Sequence, residues 1–141
     1  MKLMDHLAWS DVNDENLSSY KAIGVDCLLV LLPPGMADGH DHTEDFKRLK
    51  AFVESHGLEL HVLHSGDLPR DKIVYGLPGR DQQIDAWRKV LKAIGAAGVP
   101  VTATTFYAIS HFRTTPTTGR GGACYSTFDY EEFMKSPPQY P

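Results

Sequence analysis

Residues His111 to Asp129 read HFRTTPTTGRGGACYSTFD. Arg113 and Arg120 bracket Gly119, and Gly121-Gly122 follows, with threonines at 114, 115, 117 and 118. A guanidinium fork binds a carboxylate through two parallel hydrogen bonds, and residues without bulk let the backbone approach the ligand. Threonine hydroxyls suit a polyhydroxy ligand. The stretch has neither a helical nor a strand period, and so long a polar loop in a compact domain is usually functional or disordered. Its chemistry is that of a site for an acidic, hydroxylated small molecule. The plain alternative is a surface loop with incidental charges.

Other groups compete for attention. His40, Asp41 and His42 are metal-ligand types, but Asp41 and Glu44 have capping-box spacing before a helix, which favours a cap. His64 is expected to project from the C-terminal end of a strand, whereas His61 inside that strand reads as a satisfied core or interface histidine. In YGLPGRDQQ (75–83), Arg80 and the N–H groups of a starting helix can hold a carboxylate or phosphate. The plain reading there is a turn with Asp81 as a cap, and the glycines match no phosphate-loop signature. Cys27 lies in an apolar run and reads as a small buried hydrophobe. Cys124 has no legible base beside it and reads as a bystander.

What positions these residues is a unit that recurs. KAIGVDCLLVLL, ESHGLELHVLH and AAGVPVTATTF each run from a helix tail through a glycine into an apolar strand. Gly24, Gly57 and Gly98 sit where a left-handed residue ends a helix. The near-continuous apolar strands are those of a parallel sheet buried on both faces. The predicted order is strand (about 2–6), helix (14–23), strand (25–32), helix (43–56), strand (58–63), helix (81–97), strand (99–105), then the loop. Phe46, Leu49, Phe52 and Val53 form one helical stripe; Ile84, Trp87, Leu91 and Ile94 form another. Asn13 or Asp14 is expected to cap the first helix, Asp81 the third.

Strict alternation implies an α/β fold with right-handed crossovers, either an open doubly wound sheet or part of a (β/α)8 TIM barrel. The long connections, 33–42, 64–80 and 106–127, all follow strands. In either architecture ligands bind at that rim.

The chain has 141 residues, 42% hydrophobic and 23% charged, with a formal net charge of −4. That excludes neither fold but argues against nucleic acid or an anionic membrane as the main partner. No apolar run approaches a membrane span, and the N-terminus does not read as a signal peptide, so a cytoplasmic location is expected.

The segment GLPGRDQQIDAWRKVLKAIGAAGVPVTATTFYAISHFRTTPTTGRGGACYSTFD resembles the mannonate dehydratase family of the xylose-isomerase-like (β/α)8 barrels. The likeness extends from Gly24 onward and is strongest over Gly76–Asp129. It implies a lyase that dehydrates D-mannonate to 2-keto-3-deoxy-D-gluconate in hexuronate catabolism. The family pattern keeps Arg113–Thr114 but has Asn where this chain has Thr105, Trp where it has His111, and Glu-Ser where it has His64-Ser65. The substrate contacts expected are Arg113, Thr114, Arg120, His111, His64 and Arg80. The resemblance also implies a divalent metal, Mn2+ or Fe2+, with ligands expected beyond residue 141, so no residue here is assigned to it.

Eight βα units need about 250 residues, and about four are present. The chain therefore reads as the N-terminal portion of a barrel: βα units over 1–105, an active-site loop over 106–127 and a truncated linker over 136–141. Such an arc exposes two strand edges and one sheet face, so a homo-oligomer is expected. The alternatives are a sugar isomerase or epimerase of the same barrel group, and a non-catalytic sugar-acid-binding module.

Overall fold

The computed structural model describes residues 1–108 and 111–137, so most of the segment predicted as a linker lies outside the described residues. The chain divides into two compact units, Met1–Phe106 and the part from Tyr107 onward.

In the first unit, strands β1 (Met4–Ala8), β2 (Cys27–Leu31), β3 (Glu59–His64) and β4 (Val101–Ala103) form one sheet. Their spatial order is β1-β2-β3-β4 and every pairing is parallel. A doubly wound sheet reverses its order at a switch point; this one does not. It is an arc of a TIM barrel, and the strands' shared direction puts all four C-terminal ends on one rim.

Helices α1 (Asp14–Ala22), α2 (Thr43–Ser55) and α4 (Arg80–Ala96) connect the strands, with a short helix α3 (Asp71–Tyr75) ahead of α4. Asn13 caps α1 as expected, its Oδ1 accepting from Asn16 N at 2.9 Å. Gly24, Gly57 and Gly98 all have positive φ at the helix ends. Leu17, Phe46, Leu49, Val53, Val90, Ala93 and Ile94 pack from these helices onto Leu7, Leu28, Val30, Leu60 and Leu63 of the sheet.

Several expectations need correction. Asp41 and Glu44 form no capping box. Asp41 Oδ1 instead accepts from Thr43 N (2.9 Å) and Thr43 Oγ1 (2.6 Å), a turn that begins one residue before the helix cap His42 and spans it. Asp81 is not the cap of α4; Gly79, at φ 90°, precedes a helix that already begins at Arg80. Leu91 is 40% exposed, because Val90, Ala93 and Ile94 form the face of α4 that meets the core. β4 is three residues rather than seven, since β3 ends at His64 and offers no further partner. β1 starts and ends two residues later than predicted.

The register passes from Leu28↔Leu60 to Leu29↔Val62, leaving His61 as an extra residue in β3. The bulge keeps apolar residues on the helix side despite the extra position. On the other face lie Met4, His6, Ala8, Leu29, Leu31, Val62, Val101 and His64. Met4 and Val101 there are 46% and 39% exposed, whereas Val62 on the same face is only 5% exposed.

The second unit is not the structureless loop its lack of period implies. A small antiparallel hairpin pairs β5 (Thr117–Thr118) with β6 (Cys124–Tyr125), and helix α5 (Tyr130–Lys135) follows. Arg120–Gly122 make the turn, where Gly121 and Gly122 have φ of 67° and 80°, unfavourable for any residue with a Cβ. A Cβ at Gly119 would lie 1.6 Å from Tyr125 Cε2, so only glycine lets that ring close over the strand. Asp129 caps α5, its Oδ1 accepting from Glu132 N at 2.8 Å.

Candidate functional site

In the first unit the rim at the strand C-termini carries His64. Gly66 N donates to His64 Nδ1 at 3.1 Å, which makes Nε2 the ring's N–H. Ser65 beside it is fully buried, its N and Oγ both donating to Ala103 O, at 2.8 and 3.1 Å. Arg70 Nη1 donates to Gly66 O, and Trp87 Nε1 to Pro69 O at 2.7 Å. The turn after β3 is thus fastened on both sides, and the imidazole is held by it. A Cβ at Gly66 would fall 2.2 Å from His64 Cε1. His61 is half-exposed and bonded to Glu59 Oε1 at 2.7 Å, so it is satisfied but is not a core residue.

Arg80 stands at the start of α4 beside an open, shallow depression lined by Gly76 to Gln82. Its Nε donates to Asp81 Oδ1 at 2.9 Å. That carboxylate occupies the guanidinium and adds negative charge at the helix N-terminus, which weakens the case for an anion site there.

The His40–His42 segment is an ion-pair cluster. His42 Nε2 meets Asp38 Oδ1 and its Nδ1 meets Asp45 Oδ2, both at 2.9 Å. Asp45 above all, and then Asp38, raise the pKa of His42, although burial works against it. His40 binds the same Asp38 through its backbone N (2.8 Å) and Nδ1 (3.0 Å). Donation from His40 N, then from the His42 and His40 rings, holds the Asp38 carboxyl well below its usual range. The cluster secures the start of α2. Among the described residues no three of His, Cys, Asp and Glu are arranged to hold a metal ion.

The second unit contains a cleft of about 360 Å³ lined by His111, Phe112, Arg113, Thr114, Glu132, Phe133 and Ser136. It gathers three of the six expected contacts, His111, Arg113 and Thr114, and adds a wall from α5. Neither Arg113 nor Arg120 has a carboxylate partner among the described residues, and both are exposed. Thr114 is occupied structurally: its N donates to Thr127 O (2.9 Å), and its hydroxyl accepts from Asp129 N (2.8 Å). Arg120 sits in the hairpin turn and is not among the residues lining the cleft.

Helix α5 went unread in the sequence. Its signal was present, an Asp129-x-x-Glu132 spacing of the capping-box type just before an apolar pair. Glu132 Oε1 accepts from Thr115 N (3.0 Å) and Thr115 Oγ1 (2.6 Å), and these two bonds lower its pKa.

A sequence model of the family described as D-mannonate dehydratase (UxuA) matches residues 6–137. The chain belongs to the D-mannonate dehydratase family. Mannonate dehydratases of Streptococcus pneumoniae (strain 70585) and Thermotoga maritima are each 40% identical to it over 58 residues, 41% of this chain and 16% of theirs. The crystal structure of mannonate dehydratase from Streptococcus suis serotype 2 superposes with a TM-score of 0.80 at 25% identity. That match covers 98% of this chain and 40% of the other, so the chain spans well under half the length of that mannonate dehydratase. The superposition agrees with the parallel, sequentially ordered sheet in making this an arc of a mannonate dehydratase-like barrel.

Proposed function

We propose that the chain belongs to a hydro-lyase that removes water from D-mannonate to give 2-keto-3-deoxy-D-gluconate, and that its own share is to bind the sugar acid. The observation that carries this reading is the cleft around Arg113, whose guanidinium has no carboxylate partner among the described residues. Removing a proton α to a carboxylate places further charge on an anion. A guanidinium paired with that carboxylate offsets part of the cost by two charge-assisted hydrogen bonds. In this reading Arg113 takes the carboxylate, His111 and Ser136 face the hydroxylated chain, and Thr114 holds the loop. Arg120 and His64 remain proposed contacts, from the hairpin turn and from the strand rim. Arg80 is the weakest of the six because Asp81 already pairs with it.

The divalent metal that family membership suggests, Mn2+ or Fe2+, has no fit among the described residues, where no ligand cluster exists. The exposed apolar side chains Met4 and Val101 on that face of the sheet support a homo-oligomer. Among the described residues no helix is long and apolar enough to cross a membrane, and a cytoplasmic location accompanies the proposal.

The test is titration of the chain with D-mannonate, observed by calorimetry. Saturable binding should weaken about tenfold or more in Arg113→Ala, the loss expected for one charge-assisted pair. Binding of equal strength in the variant would refute the site. D-Mannose, which lacks the carboxylate, should not compete.

A further inference from the structure

We infer that Glu132 is a positioning residue for Arg113, which rests on the proposal that Arg113 grips the sugar acid. Arg113 lies between two anchored neighbours. On one side the Phe112 ring meets Phe133 of α5 with centroids 4.8 Å apart. On the other, Thr114 is bonded to Thr127 and to the Asp129 amide, and Thr115 gives both its N–H and its hydroxyl to Glu132 Oε1. Thr127 Oγ1 returns to Thr115 O at 2.7 Å, which closes the network. Every anchor leads to α5, to its cap Asp129 or to Thr127 just before that cap. The Phe128 ring also packs on Phe133, at 5.4 Å.

The consequence follows from geometry. A backbone pinned at 112, 114 and 115 leaves Arg113 only its own side-chain rotations, so less freedom is lost when it grips a ligand. Glu132 lines the same cleft, and its Oε1 takes both Thr115 bonds while no ion pair joins it to Arg113 among the described residues. One carboxylate oxygen therefore fixes the loop and stays off the guanidinium. Glutamine retains a carbonyl oxygen for both Thr115 bonds, whereas alanine retains nothing.

The experiment compares Glu132→Ala, Glu132→Gln, Arg113→Ala and the Ala/Ala double variant in the full chain. Nitrogen-15 relaxation reads the order of the backbone at 112–115 and of Arg113 Nε without any ligand. Order there should fall in Glu132→Ala and persist in Glu132→Gln, with the chemical shifts of α5 showing that the helix remains. Unchanged order in Glu132→Ala overturns the inference, as does equal loss in both variants. Titration with D-mannonate supplies the second arm. Glu132→Ala should weaken binding about tenfold, and should add nothing in the Arg113→Ala background, because coupled residues are not additive. An additive loss overturns the positioning role. Absence of any D-mannonate binding by the unaltered chain instead overturns the proposed function, while the relaxation data still decide the role of Glu132.

Discussion

Gly66→Ala tests whether the turn after β3 holds His64 where the structure puts it. The new Cβ would lie 2.2 Å from His64 Cε1, 2.9 Å from His64 Nδ1 and 3.1 Å from Thr105 Oγ1. Gly66 is buried, so the methyl cannot escape to solvent, and the imidazole must rotate away. Forcing a methyl into filled space costs about 1–3 kcal/mol. Rotation also breaks the Gly66 N–H to Nδ1 bond, worth about 1 kcal/mol. The expected loss is about 2–4 kcal/mol, a fall of roughly 1–2 M in the urea midpoint at an ordinary dependence on denaturant. The decisive comparison uses His64→Ala as background. With the ring gone only the Thr105 contact is tight, and Gly66→Ala should then cost less than about 1 kcal/mol. An undiminished loss in that background, or none in the unaltered protein, would refute the reasoning.

Phe46 is fully buried and meets Trp9 edge-on at a centroid distance of 6.2 Å; Phe46→Ala should lower unfolding free energy by about 3–5 kcal/mol, measured by denaturant titration. His42 has a raised pKa, so its contribution is complete below its unfolded value near 6.5 and fades as the pH climbs through the folded value. Asp45 and Asp38 are shifted down, and their contribution disappears only in acid, as the pH drops through their folded values. The stability gap between the unaltered protein and His42→Ala should therefore be wider at pH 5.5 than at pH 8.5, as thermal unfolding at the two pH values will show; an equal gap at both would contradict the ion-pair cluster. Asn13→Ala should cost about 1 kcal/mol through loss of the α1 cap, again by denaturant titration.

Much of the frame was legible because its determinants are local. Gly24, Gly57 and Gly98 end helices through their own φ, and the stripe Phe46–Leu49–Val53 repeats at the spacing of one turn. Errors arose where a local rule had two outcomes. Asp41 had capping-box spacing yet took the amide of Thr43 two residues on, and Leu91 fitted the helical period while Val90 and Ala93 took the core. The helix at 130–135 was missed although Asp129 and Glu132 signalled it, since the threonine and glycine run before it showed no period.

By itself the sequence settled the parallel α/β character, the placing of long connections after strands and the presence of paired arginines in a polar stretch. These follow from residue types at short spacings. Tertiary structure alone decided the β1-β2-β3-β4 order that makes an arc of a barrel, the extra residue at His61, and which arginine stands unpartnered in a cleft. Arg80 and Arg113 are alike as residues; one faces Asp81, while the neighbours of the other are fastened to α5, up to 21 positions away along the chain. Partners so distant in sequence are chosen only when the chain folds back, because their energy depends on distance in space and not on separation along the backbone.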